Sequence, residues 1–261
     1  MKRILNTFLL SGCFCITLSA AHTGRVFIDA NNNNVFDSNE KPLRGVMVSD
    51  GLNVTKTDNQ GRFTLPGHEN EKFIFITTPS GYKTDNRHYV RIDKGTASYD
   101  FGLQPYDAGI RKDGSHSYIQ ITDTEIFNTQ NHDDWVNNIR DYAANENLAF
   151  IMHTGDICYE NGLKEHIRMM NTGTMNCPVF YGIGNHDLVK GEYGEQLFES
   201  IYGPVFYSFD VASVHYVVTP MLSGDYRPSY CKVDVYRWLK NDLANIKPGT
   251  PVIVFSHDLL T

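Results

Sequence analysis

The chain has 261 residues, enough for one large domain or two of ordinary size. Hydrophobic residues make up 41% of it and charged residues 20%, as is usual for soluble globular proteins. The formal net charge is −7 and no run of Lys and Arg exceeds a pair. This argues against a nucleic-acid-binding surface, because neutralising a phosphate backbone needs clustered cations. A small phosphorylated substrate bound through a metal ion is not excluded.

The first residues have the pattern of an export signal. Lys2 and Arg3 precede an apolar stretch at residues 4–18, and residues 19–21, Ser-Ala-Ala, are the small residues that signal peptidase requires. The stretch is too short to span a membrane comfortably, and polar sequence follows it. We therefore predict a signal peptide at residues 1–21, a mature chain without a transmembrane helix, and a periplasmic, extracellular or cell-surface location.

A lipid anchor is the alternative to a cleaved soluble signal. Residues 10–13, Leu-Ser-Gly-Cys, resemble a lipoprotein processing site at Cys13. The short distance from Arg3 to Cys13 and the apolar character of residues 14–21 favour the soluble form, because the tether of a lipoprotein is usually polar.

Residues 22–105 predict an all-β module. Short runs of strand-forming residues alternate with turn clusters such as Asp-Asn-Gln-Gly at residues 58–61 and Pro-Ser-Gly at residues 79–81. The runs lie at residues 25–29, 46–49, 62–65, 73–77 and 98–103. Regularly spaced short strands without a long helical period favour a small β-sandwich. Residues 106–116 then form a linker to the rest of the chain.

One loop of this module has oxygen ligands at the spacing of a calcium site. Asp29, Asn31, Asn33, Asp37 and Glu40 occupy positions 1, 3, 5, 9 and 12 of a loop at residues 29–40, which is the spacing of an EF-hand. Position 6 holds Asn34, which tolerates the left-handed backbone needed there. No amphipathic helix flanks the loop, so two interpretations stay open: a calcium loop on a β-sandwich, or an Asn-rich hairpin turn.

From residue 117 to residue 261, strand-like runs alternate with helical periods. Apolar residues recur at helical spacing in four segments: Trp135, Ile139 and Tyr142; Leu163, Ile167 and Met170; Tyr193, Leu197 and Ile201; and Trp238, Leu239 and Leu243, the last three predicted to face inward. Such alternation indicates βαβ units and a sheet covered on both faces. The predicted fold class is α/β (α+β), with a small β-sandwich before an α/β domain at residues 117–261.

Polar ligand types follow four apolar strands at their carboxyl ends. They are Asp123 and Glu125, Asp156, the run Gly184-Asn185-His186-Asp187, and His257. In a sheet covered by helices, ligands collect beyond these strand ends. Mixed oxygen and imidazole donors suit Mn, Fe or Zn better than Ca, and Asp156 is the natural carboxylate to bridge two cations. Two divalent cations about 3.5–4 Å apart can activate water and clamp a phosphoryl group, so these residue types predict phosphoester hydrolysis.

The order and spacing of these motifs resemble the calcineurin-like metallophosphoesterases. Tyr-Gly-Pro at residues 202–204 and Tyr-Ser-Phe at residues 207–209 add to the likeness. Segments within residues 24–63 resemble the small transthyretin-like or immunoglobulin-like modules that precede the catalytic domain in some exported bacterial phosphoesterases. The resemblance implies an accessory role for the module. For the domain it implies phosphomonoesterase or phosphodiesterase activity on a small phosphorylated substrate.

The resemblance also implies a role for each motif residue. The metal ligands that it implies are Asp123, Asp156, which bridges both ions, Asn185 and His257. His186 would contact the substrate phosphate and assist the leaving group, with Asp187 orienting it. The weaker candidates for lining the substrate cleft follow Asp156 closely or lie in a Gly/Pro-flanked loop, and they are Tyr159, Glu160, Asn161, Asp225 and Tyr226.

Two positions depart from the family pattern. Glu125 stands where the family usually has histidine, and it either ligates a metal directly or lies behind the ligands. The family's Gly-His-x-His motif, which supplies one ligand to each metal, does not occur before Thr261. We therefore expect a C-terminally truncated form with weaker metal affinity. The alternative function is a non-catalytic exported binding or surface protein built on a decayed phosphoesterase scaffold.

Overall fold

The β-rich module at the start of the described chain consists of short strands. A computed structural model describes residues 21–84, 87–127 and 132–258, so the predicted signal peptide lies outside the described residues apart from Ala21. The strands are β1 (His22–Ile28), β2 (Lys41–Pro42), β3 (Met47–Ser49), β4 (Val54–Lys56), β5 (Arg62–Leu65), β6 (Phe73–Ile76), β7 (Tyr82–Lys83), β8 (Tyr89–Arg91) and β9 (Phe101–Pro105).

Two sheets of this module share one hydrophobic core. One sheet has the order β2-β1-β9-β7, with β5 also paired to β1, and the other has the order β4-β3-β6-β8. β1 runs parallel to β9 and antiparallel to β5. Side chains from both sheets, among them Val26, Val48, Leu65, Ile74 and Leu103, form a single buried cluster. Two sheets packed face to face on one core confirm the predicted β-rich module and give it a sandwich architecture.

The rest of the chain alternates strands with helices, as predicted. Its strands are β10 (Tyr118–Ile121), β11 (Phe150–His153), β12 (Val179–Tyr181), β13 (Tyr207–Val211), β14 (Val214–Val218) and β15 (Val252–Phe255). Its helices are α1 (Asp133–Asn145), α2 (Glu160–Met169), α3 (Thr172–Met175), α4 (Gln196–Tyr202) and α5 (Lys232–Leu243). β10, β11 and β12 form a parallel sheet, and β13, β14 and β15 form a mixed one. None of these helices is long and apolar enough to cross a membrane.

The parallel sheet is covered on both faces, by helices on one face and by the mixed sheet on the other. Along β11, Ile151 packs in a cluster with residues of α1, α2 and α4. Its neighbours Phe150 and Met152 pack in a second cluster with residues of β13, β14 and β15. Phe180 of β12 stacks on Phe209 of β13 with ring centroids 3.7 Å apart. Consecutive strand residues point to opposite faces, so this alternation separates the two layers.

The buried face of α5 differs from the predicted one at its last turn. Trp238 is fully buried and Leu239 packs against the core, as predicted. Leu243, predicted to face inward, is 36% exposed, because α5 ends at this residue and its buried stripe lies elsewhere. The buried positions of α5 are Val235, Trp238 and Asp242. Asp242 turns inward because its carboxylate lies 2.7 Å from Nε2 of His215.

A buried ion-pair network joins the β-rich module to the α/β domain. Lys72, just before β6, places Nζ 2.8 Å from a carboxylate oxygen of Glu195 and 2.8 Å from one of Glu199. Both glutamates are buried, and the hydroxyl of Ser229 also donates to Glu195. Because an unpaired buried carboxylate is costly, this network favours one arrangement of the module on the domain.

Candidate metal centre

The carboxyl ends of four strands bring the predicted ligands together. β10, β11 and β12 are paired in parallel, with Ile121, His153 and Tyr181 level in the register, so the residues after them emerge at one edge. His257 follows β15 in the neighbouring sheet. Ligand atoms lie within 4.8 Å of one another in two groups: Asp123, Asp156 and His257, and Glu125, Asp156 and His186. Asp156 belongs to both groups, which is the position expected of a bridging carboxylate.

Asp156 is the buried centre of this cluster. It is 4% exposed, and its Oδ2 lies 3.4 Å from Nε2 of His257. Its Oδ1 accepts a hydrogen bond from the backbone N–H of His186 at 3.0 Å. Asp123 and Glu125 lie at the exposed rim. The cluster is therefore open to solvent on one side and anchored to the sheet on the other.

The donor set fits divalent cations. The carboxylates of Asp123, Glu125 and Asp156 cluster here, and no Lys or Arg among the described residues forms an ion pair with them. Nδ1 of His257 is buried and has no hydrogen-bond partner within the described ranges. Neighbouring carboxylates repel one another unless a cation or a proton lies between them. Oxygen and imidazole donors in this mixture suit Mn, Fe or Zn.

The ligand loops hold strained backbone conformations. Positive φ angles occur at Asp123 (55°), Glu125 (43°), Asp156 (51°), Cys158 (112°) and Tyr159 (29°). Residues other than glycine rarely adopt such angles, which persist where the surrounding structure holds them and which cluster at functional sites. Here the two loops hold each other, since the N–H groups of Asp123 and Glu125 donate to the carbonyls of Gly155 and Asp156. The loops that carry Asp123, Glu125 and Asp156 are therefore held in place by hydrogen bonds within the protein itself.

Two glycines let the ligand loops touch backbone to backbone. A Cβ on Gly155 would lie 2.4 Å from the backbone nitrogen of Gly184. A Cβ on Gly184 would lie 2.1 Å from Oδ1 of Asp156. Both distances are far inside van der Waals contact, so only glycine fits at either position.

Asp225, rather than Asp187, orients the imidazole of His186. Oδ2 of Asp225 lies 3.1 Å from Nδ1 of His186, and this hydrogen bond raises the pKa of His186 above its usual value. The resemblance predicts that Asp187 orients His186, but its two oxygens accept the backbone N–H groups of Cys158 and Gly184, each at 2.9 Å. Burial raises the pKa of Asp187 to about 6. Asp187 thus ties the two ligand loops together from beneath.

An aromatic residue, Tyr159, lies beside His186, and a second one, Phe127, lies beside Tyr159. The hydroxyl of Tyr159, one of the weaker predicted candidates, is 3.5 Å from Nδ1 of His186. Phe127, which stacks on Tyr159, was missed by the sequence analysis. The sequence feature that indicates Phe127 is the apolar pair Ile126-Phe127 directly after Glu125. In the structure Ile126 is fully buried and Phe127 is exposed.

Two family models match the chain and together cover most of it. The model described as Calcineurin-like phosphoesterase matches residues 116–261, and the model described as N terminal of Calcineurin-like phosphoesterase matches residues 30–106. The chain belongs to the calcineurin-like phosphoesterase family. No curated protein matches it. Membership confirms the resemblance seen in the motifs and indicates, in general, a phosphoester hydrolase that depends on divalent metal ions.

Asn185 of this phosphoesterase lies between Gly184 and His186, both of which lie against Oδ1 of Asp156. Its backbone carbonyl accepts a hydrogen bond from the N–H of Asp225 at 3.2 Å. A Cβ on Gly224 would lie 2.5 Å from the same carbonyl oxygen. The loop that carries Asp225 is therefore fixed directly against the loop that carries Asn185 and His186.

Gly184→Ala is expected to displace the carboxylate of Asp156, because the new Cβ would collide with it. We expect metal affinity to fall at least about tenfold and stability to fall by about 1–3 kcal/mol. Gly182→Ala is the matched control, since the atom nearest to its Cβ, the carbonyl oxygen of Thr154, lies 3.4 Å away. Metal titration and thermal unfolding measure both variants. If metal affinity and stability changed equally in the two variants, the close approach of Gly184 to Asp156 would be unimportant.

The candidate calcium loop is closed by its own hydrogen bonds. The carboxylate of Asp29 accepts the backbone N–H groups of residues 33 and 34, and that of Glu40 accepts those of residues 30 and 37. The side-chain amides of Asn31 and Asn33 both donate to Oδ2 of Asp37, at 2.8 and 3.0 Å. A hydrogen-bonded hairpin turn accounts for these contacts, and calcium binding stays a prediction.

A third group of ligand types lies in the β-rich module and consists of Asp50, His68 and Glu71. Nε2 of His68 is 3.1 Å from the backbone carbonyl of Asp50 and 3.6 Å from its carboxylate. That carboxylate already accepts the N–H groups of residues 52 and 53, and Glu71 pairs with His22 at 2.6 Å. These contacts account for the group as a hydrogen-bonded network between the turn after β3 and the loop before β6.

Proposed function

We propose that this phosphoesterase hydrolyses phosphate monoesters or diesters with two divalent cations bound around Asp156. One observation carries the proposal: Asp123, Glu125 and His257 each place a ligand atom within 4.8 Å of the carboxylate of Asp156. Asp123 and Glu125 from the loop after β10, together with Asn185 and His257, would complete the two cation sites. Manganese, iron and zinc suit this donor set.

The catalytic roles proposed for His186 and Asp225 follow from their contacts. When bound, divalent cations lower the pKa of a water molecule and neutralise charge on phosphoryl oxygens. His186 would carry the proton that the leaving oxygen needs. Asp225 accepts a hydrogen bond from Nδ1–H and raises the pKa of this imidazole, which leaves Nε2 to donate. Asp156 fixes the backbone of His186 from the other side.

The leaving-group dependence of a His186→Asn variant tests this role. A basic alkoxide cannot leave readily without a proton, whereas p-nitrophenolate can. We expect kcat for an alkyl phosphate to fall about 100-fold and kcat for p-nitrophenyl phosphate to fall much less, while the bound metal is unchanged. Steady-state kinetics with Mn²⁺, together with metal analysis, measures all three quantities.

An Asp225→Asn variant tests the same role of His186. Asp225→Asn keeps the imidazole but removes the charge beside it, so it should show the same leaving-group dependence in weaker form. An equal loss with both substrates in His186→Asn, accompanied by loss of metal, would instead make His186 a metal ligand.

A further inference from the structure

An exposed aromatic ledge, formed by Phe127 and Tyr159, lies beside His186. The two rings stack with centroids 5.4 Å apart and planes at 30°. Phe127 is 59% exposed and Tyr159 is 39% exposed, so both residues are open to solvent. The ring of Tyr159 lies 5.4 Å from the ring of His186. An apolar surface therefore begins at this imidazole and extends to the more exposed Phe127.

The aromatic ledge is held in place by the loops that carry the ligands. Ile126 is fully buried and its N–H donates to the carbonyl of Ile157, which fixes the chain before Phe127. Gly162 of α2 lies so close that a Cβ there would come within 1.7 Å of the carbonyl oxygen of Ile126. The φ of 29° at Tyr159 is one that side-chain-bearing residues rarely adopt. Large rings held in the open by a constrained backbone are typical of a binding surface.

We propose that the aromatic ledge binds a planar aromatic ring in the leaving group of the substrate, an inference that rests on the proposed hydrolysis at the metal centre. The leaving oxygen must lie within reach of His186, which donates its proton. The group attached to that oxygen then lies next to Tyr159. Aryl rings and nucleobases share the flat face that stacks on such a surface. The ledge thus selects an aromatic phosphate ester over an aliphatic one of the same charge.

A Phe127→Ala variant tests the ledge without altering the contacts of His186. Two pairs of substrates are compared, each with one aromatic member: phenyl with propyl phosphate, and adenosine 5′-phosphate with ribose 5-phosphate. The non-hydrolysable benzylphosphonate and propylphosphonate give the same comparison as dissociation constants. The aromatic value is divided by the aliphatic value within each protein, so that the different reactivities of the leaving groups cancel between variants.

We expect this aromatic-to-aliphatic ratio to fall about tenfold in Phe127→Ala, in kcat/KM and in affinity, and to be kept in Phe127→Trp. The substrate pair whose aromatic-to-aliphatic ratio falls shows where the stacked ring is attached. A fall for phenyl phosphate places the ring directly on the ester oxygen, and a fall for adenosine 5′-phosphate places it one sugar away from that oxygen. Tyr142→Ala is the matched control. Tyr142 is 53% exposed, and it lies in the last turn of α1, at the end that returns to the amino edge of the parallel sheet.

The outcomes distinguish a failure of the aromatic-ledge proposal from a failure of the proposed hydrolysis. An unchanged ratio in Phe127→Ala, or an equal fall in Tyr142→Ala, would overturn the ledge while hydrolysis stands. A Mn²⁺-loaded protein that hydrolyses none of the esters, yet prefers benzylphosphonate through Phe127, would overturn the hydrolysis and support the ledge. A protein that neither hydrolyses the esters nor binds the phosphonates would overturn both.

Discussion

Replacing Asp156 with asparagine is expected to remove the metal centre and, with it, hydrolysis. Asparagine keeps the shape and an oxygen that can accept the N–H of His186, so the fold should persist. It removes the charge that the proposed bridge between two cations needs. Loss of a group that only orients a ligand costs 10–100-fold in metal affinity, so loss of the shared ligand should cost more than about 100-fold. Metal analysis after dialysis and a phosphatase assay measure the two effects.

Asp141→Asn is the matched control for Asp156→Asn. Asp141 is an exposed carboxylate in the second half of α1, pairs with the exposed Arg140 and belongs to neither ligand group. Its variant should keep both metal and activity. Full metal content or full activity in Asp156→Asn would contradict the bridging role, provided that thermal melting shows both variants to be folded.

The second large effect is expected at His215, a fully buried imidazole between two carboxylates. Its Nδ1 lies 2.7 Å from Oδ1 of Asp210 and its Nε2 lies 2.7 Å from Oδ2 of Asp242. Asp242 also accepts a hydrogen bond from Ser208, whose hydroxyl meets that of Thr77 in the β-rich module. His215→Gln deprives the buried Asp242 of its charged partner, and breaking a buried pair costs about 3–5 kcal/mol. Urea unfolding near neutral pH should show a loss of this size.

The pH dependence of this loss has a definite sign. Burial alone lowers the pKa of His215, but hydrogen bonds and the charges of Asp210 and Asp242 more than offset it and raise the pKa to about 9. An unfolded histidine has a pKa of about 6.5. The stabilisation is therefore complete below about pH 6.5 and is lost as the pH rises through about 9. The stability difference between wild type and His215→Gln should shrink over this range, and a constant difference would mean that the folded imidazole is neutral.

The clustering of the candidate ligands could be predicted because the strands that carry them end at the same edge. Asp123 and Asp156 each follow a strand of the parallel sheet, and His257 follows a strand that runs parallel to β14. The direction of a strand decides at which edge the next residue emerges, and an apolar run followed by a polar side chain is visible in the sequence. At these positions the sequence pattern and the order of the strands therefore place the side chains at the same edge of the sheet.

Contacts between loops could not be predicted in the same way. Asp225 lies 39 residues from His186, in a loop without periodicity, so their contact depends on the path of the chain after β14. Asp187 is adjacent to His186 in sequence but is buried, and its carboxylate turns to the backbone donors that a buried anion needs. Asp242 of α5 has a charge that predicts an exposed position, and its contacts with His215 and Ser208 explain its burial.

Anomalous X-ray diffraction from crystals grown with Mn²⁺ tests the metal centre most directly. We predict two anomalous peaks about 3.5–4 Å apart, one on each side of the carboxylate of Asp156, and neither peak in crystals of Asp156→Asn. Peaks confined to the group of Asp50, His68 and Glu71, or no peak next to Asp156, would contradict a phosphoesterase centre at this edge of the sheet.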